Sequence, residues 1–252
     1  MIIMHGLYGS SDNWVSIARE LMTDFHIYLL DLRNHGASPH LPEHNYMVMA
    51  DDLLEFMNNQ QIYSSIIIGH SMGGKVAMSF TAVQPERVKR LIVVDISPRT
   101  YSLQAGDHQA KEHQTILETI SSINLSGIKK REEVDQLLLS RIPQERTRQF
   151  ILKNLVRTKE NYFRWKLNVD VLQQSIPQVL AGLENEKEDL NEYRNPVLFV
   201  KGELSPYIGE NDIELINELF PQNQMMTIAN ASHWVHAEQP DELIRVIKRF
   251  CM

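Results

Sequence analysis

The chain is poor in cysteine, in long apolar runs and in net positive charge. Its single cysteine, Cys251, cannot form a disulfide framework or a cysteine-built zinc site, and this scarcity predicts a cytoplasmic protein in a reducing compartment. No apolar run approaches the roughly 20 residues that a membrane-spanning helix needs. Acidic residues outnumber basic ones by 32 to 25, which gives a net charge of −7. We therefore predict neither a membrane span nor a nucleic-acid partner.

Short apolar segments alternate along the 252 residues with amphipathic stretches. The apolar segments are apolar at both odd and even positions, which is typical of strands buried on both faces of a parallel sheet. These predicted strands are residues 2–4, 27–30, 66–68, 91–94, 197–200 and 225–228. The amphipathic stretches predict helices at residues 12–21, 46–59, 72–83, 212–220 and 241–250. The alternation predicts an α/β fold with a mostly parallel, doubly wound sheet.

The alternation stops between residues 99 and 190, where no segment predicts a strand. Polar and amphipathic segments, such as residues 134–141 and 146–157, predict helices instead. We therefore predict a helical insertion at residues 99–190, carried by a core formed from residues 1–98 and 191–252.

The insertion is rich in basic residues, although the whole chain is acidic. Between Lys129 and Lys166 it contains eleven Lys or Arg residues and five Asp or Glu residues. The favoured interpretation is a solvated helix surface. The alternative is a basic face that attracts an anionic part of a substrate, such as the phosphates of coenzyme A.

The segment Gly69-His70-Ser71-Met72-Gly73 lies between a predicted strand and a predicted helix. A serine on so sharp a turn adopts a strained backbone, and glycines two positions to either side remove the resulting collisions. The turn exposes Oγ above a helix N-terminus, whose free N–H groups can stabilise an oxyanion. The alternative is a glycine-rich turn with an incidental serine. The context favours Ser71 as a nucleophile.

A serine nucleophile needs a base, and in the chain order Ser, acid, His the histidine comes after the last strand. His233 stands in the short loop after the predicted strand 225–228 and is our candidate for general base and then general acid. His236 is the alternative, although it falls near the start of the next helix. The two histidines could also suggest a metal pair, but no third ligand is identifiable in the sequence.

The acid has several candidates. On such sheets it often follows the strand at residues 197–200, but Ser205 stands where an aspartate is usually found, and Glu203 comes early in the turn. Asp95 follows the preceding strand of the sheet at its carboxyl end, where catalytic loops gather. From there a carboxylate can bind the histidine Nδ1–H and select its tautomer. We predict Asp95, with Asp212 as a more distant alternative.

An oxyanion hole needs two N–H donors. The first is predicted to be the backbone N–H of Met72, directly after the nucleophile. The second is predicted in the loop after the first strand, where Gly6 permits close approach and the N–H of Leu7 is the donor. For His5 in the same loop, a hydrogen bond to local backbone is favoured over a catalytic role.

Five blocks of sequence, in this order, resemble the α/β-hydrolase superfamily, and within it the small bacterial carboxylesterases and acyl thioesterases and their mitochondrial relatives. The blocks are His5-Gly6-Leu7-Tyr8-Gly9, Asp31-Leu32-Arg33-Asn34-His35-Gly36-Ala37-Ser38, Gly69-His70-Ser71-Met72-Gly73-Gly74, Val94-Asp95-Ile96-Ser97-Pro98 and Ser232-His233-Trp234-Val235-His236-Ala237-Glu238. The resemblance implies an acid after the strand that follows the nucleophile helix, which supports Asp95. It also implies that the insertion is a helical lid. Superfamily members usually carry one or two edge strands before the His-Gly loop, whereas Met1 stands almost at that loop here. Either the sequence starts late or the sheet is shortened, and the resemblance then implies that the strand at residues 27–30 is an exposed edge.

Together these features predict a serine hydrolase that cleaves small carboxylic esters or acyl thioesters through an acyl-enzyme. The predicted partner is a small acyl substrate, and the chemistry needs no metal or organic cofactor. A carbon–carbon bond hydrolase or a cofactor-free peroxidase would keep the same serine and stays open as an alternative. A non-catalytic small-molecule receptor on the same scaffold is a further alternative. The sequence predicts no particular oligomeric state.

Overall fold

In the computed structural model, which describes residues 1–252, all six predicted strands form one parallel sheet. The protein has eight strands, which in chain order are β1 (Ile2–Met4), β2 (Tyr28–Leu30), β3 (Ser65–His70), β4 (Val88–Val94), β5 (Leu155–Arg157), β6 (Phe163–Trp165), β7 (Val197–Gly202) and β8 (Asn223–Ile228). The order of the strands in the parallel sheet is β2-β1-β3-β4-β7-β8. Its strands are apolar at both odd and even positions because both faces of the sheet are covered.

Helices cover the two faces of the sheet, as a doubly wound fold requires. In β1, Ile2 and Met4 join one hydrophobic cluster, whereas Ile3 joins the other. The α-helices are α1 (Val15–Leu21), α2 (Tyr46–Asn59), α3 (Met72–Val83), α4 (His108–Ser122), α5 (Arg131–Leu139), α6 (Glu145–Leu152), α7 (Val169–Gln174), α8 (Ile176–Leu180), α9 (Lys187–Glu192), α10 (Asp212–Leu219), α11 (Val235–Glu238) and α12 (Pro240–Cys251). The cluster that contains Ile2 and Met4 includes residues of α2 and α3, and the cluster that contains Ile3 includes residues of α1 and α12.

The helix ends follow local sequence signals. The predicted helix at residues 12–21 begins as a 3₁₀ turn at Ser11–Trp14 and continues as α1. Asn45 caps α2, since its side chain accepts a hydrogen bond from the Val48 N–H. No helix is long and apolar enough to cross a membrane.

The segment between β4 and β7 is mostly helical, as predicted, but the expectation that it contains no strand is wrong. β5 and β6 form a separate antiparallel pair, and the helix expected at residues 146–157 ends at Leu152. A tight turn joins the two strands: the Thr158 N–H donates to the Tyr162 carbonyl, and Asn161 has a φ of 68°. Strands of three residues are too short to show an alternating pattern, so the sequence did not reveal them.

β2 lies at one edge of the sheet and pairs only with β1. At the centre of the sheet, β3, β4 and β7 end side by side, and their carboxyl ends carry the candidate site.

Candidate active site

Ser71 occupies a sharp turn between β3 and α3. Its φ of 53° and ψ of −121° lie in a region that residues other than glycine rarely adopt. A Cβ atom at Gly69 would overlap the Gly73 carbonyl, and one at Gly73 would approach the His5 carbonyl oxygen to 2.5 Å. The two glycines are therefore required by close backbone approach, and the turn holds the Ser71 side chain at the N-terminus of α3.

Three side chains that are distant in sequence meet at this turn. His233 Nε2 lies 3.0 Å from Ser71 Oγ, and His233 Nδ1 lies 2.8 Å from Asp95 Oδ2. Ser71 follows β3, Asp95 follows β4 and His233 lies in the loop after β8. The structure thus brings together the three residues that the sequence singled out, in hydrogen-bonding order.

Asp95 is completely buried and is surrounded by donors. Its carboxylate accepts the Gly202 N–H at 2.9 Å and the Ser205 hydroxyl, in addition to His233. Ser205, which stands where an aspartate was expected, therefore donates to the acid that follows β4. A buried carboxylate with three donors is well suited to hold an imidazole in one tautomer.

The alternative acids have other partners. Glu203 accepts a hydrogen bond from the Asn230 N–H at 2.8 Å. Asp212 lies 3.1 Å from the Arg99 guanidinium and accepts the Gly209 N–H. Neither carboxylate forms a hydrogen bond with His233 in this structure.

His236 is buried and makes no hydrogen bond with Ser71. Its ring stacks on Trp14 at 4.9 Å, and burial lowers the pKa of its imidazole to about 3. No cluster of three or more His, Cys, Asp or Glu side chains in the protein could hold a metal ion.

His5 shapes its own loop: Nδ1–H donates to the Gly6 carbonyl, and Nε2 accepts the Leu32 N–H at 3.0 Å.

The two predicted oxyanion donors flank Ser71. Leu7 and Met72 line the same cavity as Ser71. The Leu7 N–H donates to no backbone or side-chain acceptor. Met72 is the first residue of α3, so its N–H has no acceptor within the helix. Both N–H groups are therefore available to an oxygen bound in the cavity.

The cavity in front of Ser71 is small and mostly apolar. Its volume is about 20 Å³, which is room for about one water molecule. The residues that line it are Leu7, Tyr46, Ser71, Met72, Ile96, Tyr101, Gln109, His113, Val179, Leu180 and Tyr207. Apart from Leu7, Ser71 and Met72, none of them was predicted from the sequence to be a site residue.

Tyr207 and His113 form one wall of this cavity. The Tyr207 ring stacks on His233, with 3.7 Å between ring centroids and 16° between planes. The Tyr207 hydroxyl lies 2.9 Å from His113 Nε2. Burial raises the pKa of the Tyr207 phenol and lowers the pKa of His113 to about 3. Both groups are therefore neutral near pH 7, and the wall carries no charge.

His70 supports the loop that carries His233. Its Nε2 donates to the His233 backbone carbonyl at 2.8 Å, and its ring contacts the His233 ring at a centroid distance of 4.8 Å. Burial lowers the pKa of His70 well below its usual value, so the ring is neutral. No role was predicted for this residue from the sequence, although its position directly before Ser71 places it at the end of β3.

Four of the eleven basic side chains between Lys129 and Lys166 form ion pairs with carboxylates. Arg148 pairs with Asp135 at 2.8 Å, and Arg146 pairs with Glu238. The other seven form no ion pair, so both interpretations of this basic stretch, a solvated helix surface and a face for an anionic ligand, stay open.

Comparisons with known proteins agree with this architecture. Residues 1–240 match the family described as alpha/beta hydrolase fold. The chain is 36% identical over 250 residues to esterase YbfF of Escherichia coli. The matched region covers 99% of this chain and 92% of that protein. It is 37% identical over 253 residues to the sn-1-specific diacylglycerol lipase ABHD11 of Danio rerio, with coverage of 99% and 77%. A solved structure described as a marine microorganism esterase superposes with a TM-score of 0.94 at 45% identity and covers 99% of this chain and 94% of that chain.

Proposed function

Because the chain belongs to the alpha/beta hydrolase fold family, we propose that it is a serine hydrolase that cleaves small carboxylic esters or acyl thioesters. The relatives at 36% and 37% identity are named as an esterase and a lipase, which supports hydrolysis of ester bonds. The observation that carries the proposal is the unbroken line of hydrogen bonds from Ser71 Oγ through His233 to Asp95.

In the proposed mechanism, Ser71 attacks the acyl carbon while His233 Nε2 takes the hydroxyl proton. Asp95 holds Nδ1–H and stabilises the imidazolium that forms. The N–H groups of Leu7 and Met72 donate to the oxygen that becomes negative in the tetrahedral intermediate. His233 then returns the proton to the leaving group, which leaves an acyl-enzyme on Ser71. A water molecule, deprotonated by His233, releases the acid and restores the serine.

The lining of the cavity supports a small, uncharged acyl group as the substrate. No Lys, Arg, Asp or Glu side chain lines the cavity. A carboxylate on the acyl group would lose its hydration without gaining a charged partner, which is unfavourable in an apolar site. The proposed substrates are therefore esters or thioesters of short monocarboxylic acids.

We also propose that residues 99–190 act as a lid over a core of residues 1–98 and 191–252. Almost half of the cavity lining comes from this insertion, namely Tyr101, Gln109, His113, Val179 and Leu180. A cavity of about 20 Å³ is too small for an acyl chain. Substrate entry therefore requires part of the insertion to move away from Ser71.

The proposal is tested by replacing the nucleophile. The Ser71→Ala variant is expected to lose several orders of magnitude in turnover of p-nitrophenyl butyrate and to keep its circular dichroism spectrum. Ser79→Ala, on the same helix, is the matched control and is expected to turn over at the wild-type rate. Near-native activity of Ser71→Ala would contradict the proposed mechanism.

A further inference from the structure

Lys75 is a buried charged residue that the proposed mechanism does not use. It follows Ser71 by one turn of α3, and only 1% of its surface is exposed. It forms no ion pair with a carboxylate. Its Nζ instead lies 4.9 Å from the centroid of the Tyr101 ring and 5.7 Å from that of Tyr46. An amino group buried in this way is costly unless its hydrogen bonds are made.

Two backbone carbonyls meet this need. Lys75 Nζ donates to the carbonyl of Arg99 at 2.7 Å and to the carbonyl of Ala181. Arg99 lies shortly after β4, where the insertion begins, and Ala181 lies directly after α8, towards its end. One side chain on the nucleophile helix thus joins the outgoing and returning arms of the insertion.

The end of α8 is held at three successive carbonyls. The Tyr46 hydroxyl donates to the Val179 carbonyl, and the Tyr101 N–H donates to the Leu180 carbonyl at 2.9 Å. Lys75 binds the next carbonyl in the chain. The last carbonyls of a helix have no N–H partner within the helix, so they accept hydrogen bonds from donors elsewhere. Here each carbonyl has its own donor, so the main chain at this point is firmly held.

This held segment forms a wall of the cavity. The side chains of Val179 and Leu180 line it together with the rings of Tyr46 and Tyr101. A longer acyl chain needs more room than the present cavity offers. The wall can recede only if the carbonyls at the end of α8 leave their donors.

We propose that Lys75 is a specificity-determining residue, which holds the wall formed by Val179 and Leu180 in place and thereby restricts the enzyme to short acyl chains. This inference rests on the proposed esterase function. Lys75 acts through the wall. Its Nζ binds the carbonyls of Arg99 and Ala181 and makes no hydrogen bond with Ser71, so it is a positioning residue.

The charges around Lys75 are consistent with this role. Burial lowers the pKa of its ammonium to about 7; the carboxylates of Glu184, Glu186 and Asp212 counter this effect, whereas the Arg99 guanidinium adds to it. A methionine of similar length would fill the space without this cost. The benefit of a lysine at this position therefore lies in its two hydrogen bonds to the insertion.

The test is the chain-length profile of the full-length enzyme. We compare kcat/KM for p-nitrophenyl acetate, butyrate, hexanoate and octanoate in the wild type and in Lys75→Met. The wild type is expected to prefer the shorter esters. Lys75→Met is expected to raise the octanoate-to-butyrate ratio by about tenfold, the size of effect that two lost hydrogen bonds can produce. The change should be mainly in KM for octanoate, which a general loss of structure would not produce.

Two further variants make the result specific. Ser79→Ala, one turn further along α3 with its hydroxyl directed to Met47, is the control and should leave the ratio unchanged. Tyr46→Phe keeps the ring and removes only the donor to Val179, so it should shift the ratio in the same direction as Lys75→Met. If thermal denaturation shows that Lys75→Met does not fold, the ratio is measured in Tyr46→Phe instead.

The outcomes separate the inference from the function on which it rests. A wild type that hydrolyses none of the four esters would contradict the proposed function. An active wild type whose ratio is unchanged in a folded Lys75→Met variant would overturn the role of Lys75. If only Tyr46→Phe folds, an unchanged ratio in that variant overturns it equally.

Discussion

Replacing Asp95 by asparagine removes one charge from the centre of the candidate site and changes little else in volume. The carboxylate is buried and accepts hydrogen bonds from His233, Gly202 and Ser205. In Asp95→Asn, an amide N–H that faces His233 Nδ1 would donate rather than accept. The imidazole then carries its proton on Nε2 and cannot take the proton of Ser71.

The expected loss is large because the wrong tautomer disables the base. A substitution of this kind in a serine triad lowers kcat by roughly 10⁴-fold. At about 1.36 kcal/mol per factor of ten, this corresponds to about 5.4 kcal/mol of transition-state stabilisation. Asp95→Asn also removes the carboxylate that stabilises the imidazolium of His233, which lowers kcat further.

The assay is kcat/KM for p-nitrophenyl butyrate at neutral pH, with circular dichroism to confirm folding. Asp212→Asn and Glu203→Gln are the matched controls, since both were candidates for the acid and neither contacts His233. Both should retain wild-type turnover. If Asp95→Asn stayed within about tenfold of the wild type, or if either control lost as much activity, the assignment of the acid would be refuted.

Three further predictions concern the surroundings of the triad. Ser205→Ala removes one donor to the Asp95 carboxylate and should lower kcat by about tenfold in the same assay; an unchanged kcat would show that this hydrogen bond is dispensable. His70→Leu removes the donor to the His233 carbonyl and should lower kcat with little change in KM, whereas His70→Gln should restore most of it; equal losses in both variants would contradict the positioning role. His236 has a pKa of about 3 in the folded protein against an ordinary value of 6.5, so the unfolded chain binds the additional proton and stability falls as the pH drops from about 6.5 towards 3, by about 1.4 kcal/mol per pH unit. His236→Phe should therefore make the decline in melting temperature between pH 7 and pH 5 shallower, and an identical decline would refute this explanation.

The parts of the fold that the sequence predicted are those with strong local signals. Ile66, Ile67 and Ile68 form a run that is apolar at both parities, and the glycines around Ser71 mark the turn that follows. His233 could be found because chain order places the base after the last strand. The strand and the turn around Ser71 are signalled within a few residues of each other, whereas the assignment of His233 also depends on the order of strands along the chain.

The parts that escaped prediction depend on contacts between distant segments. Nothing near Lys75 in sequence indicates that Arg99 and Ala181 supply its hydrogen-bond acceptors. Ser205 could be placed near the site, but its role became clear only when the structure showed it donating to Asp95. The cavity walls from the insertion belong to the same class, since packing against the core selects which residues face Ser71.

The most direct test that His233 and Asp95 activate Ser71 is intact-mass analysis after treatment with a fluorophosphonate, followed by peptide mapping. An alcohol activated by an adjacent imidazole reacts with this probe, whereas ordinary serines do not. We predict one adduct per chain, located on Ser71, and a large loss of labelling in a His233→Ala variant that remains folded. An unlabelled wild-type protein, or an adduct on a different serine, would contradict this prediction.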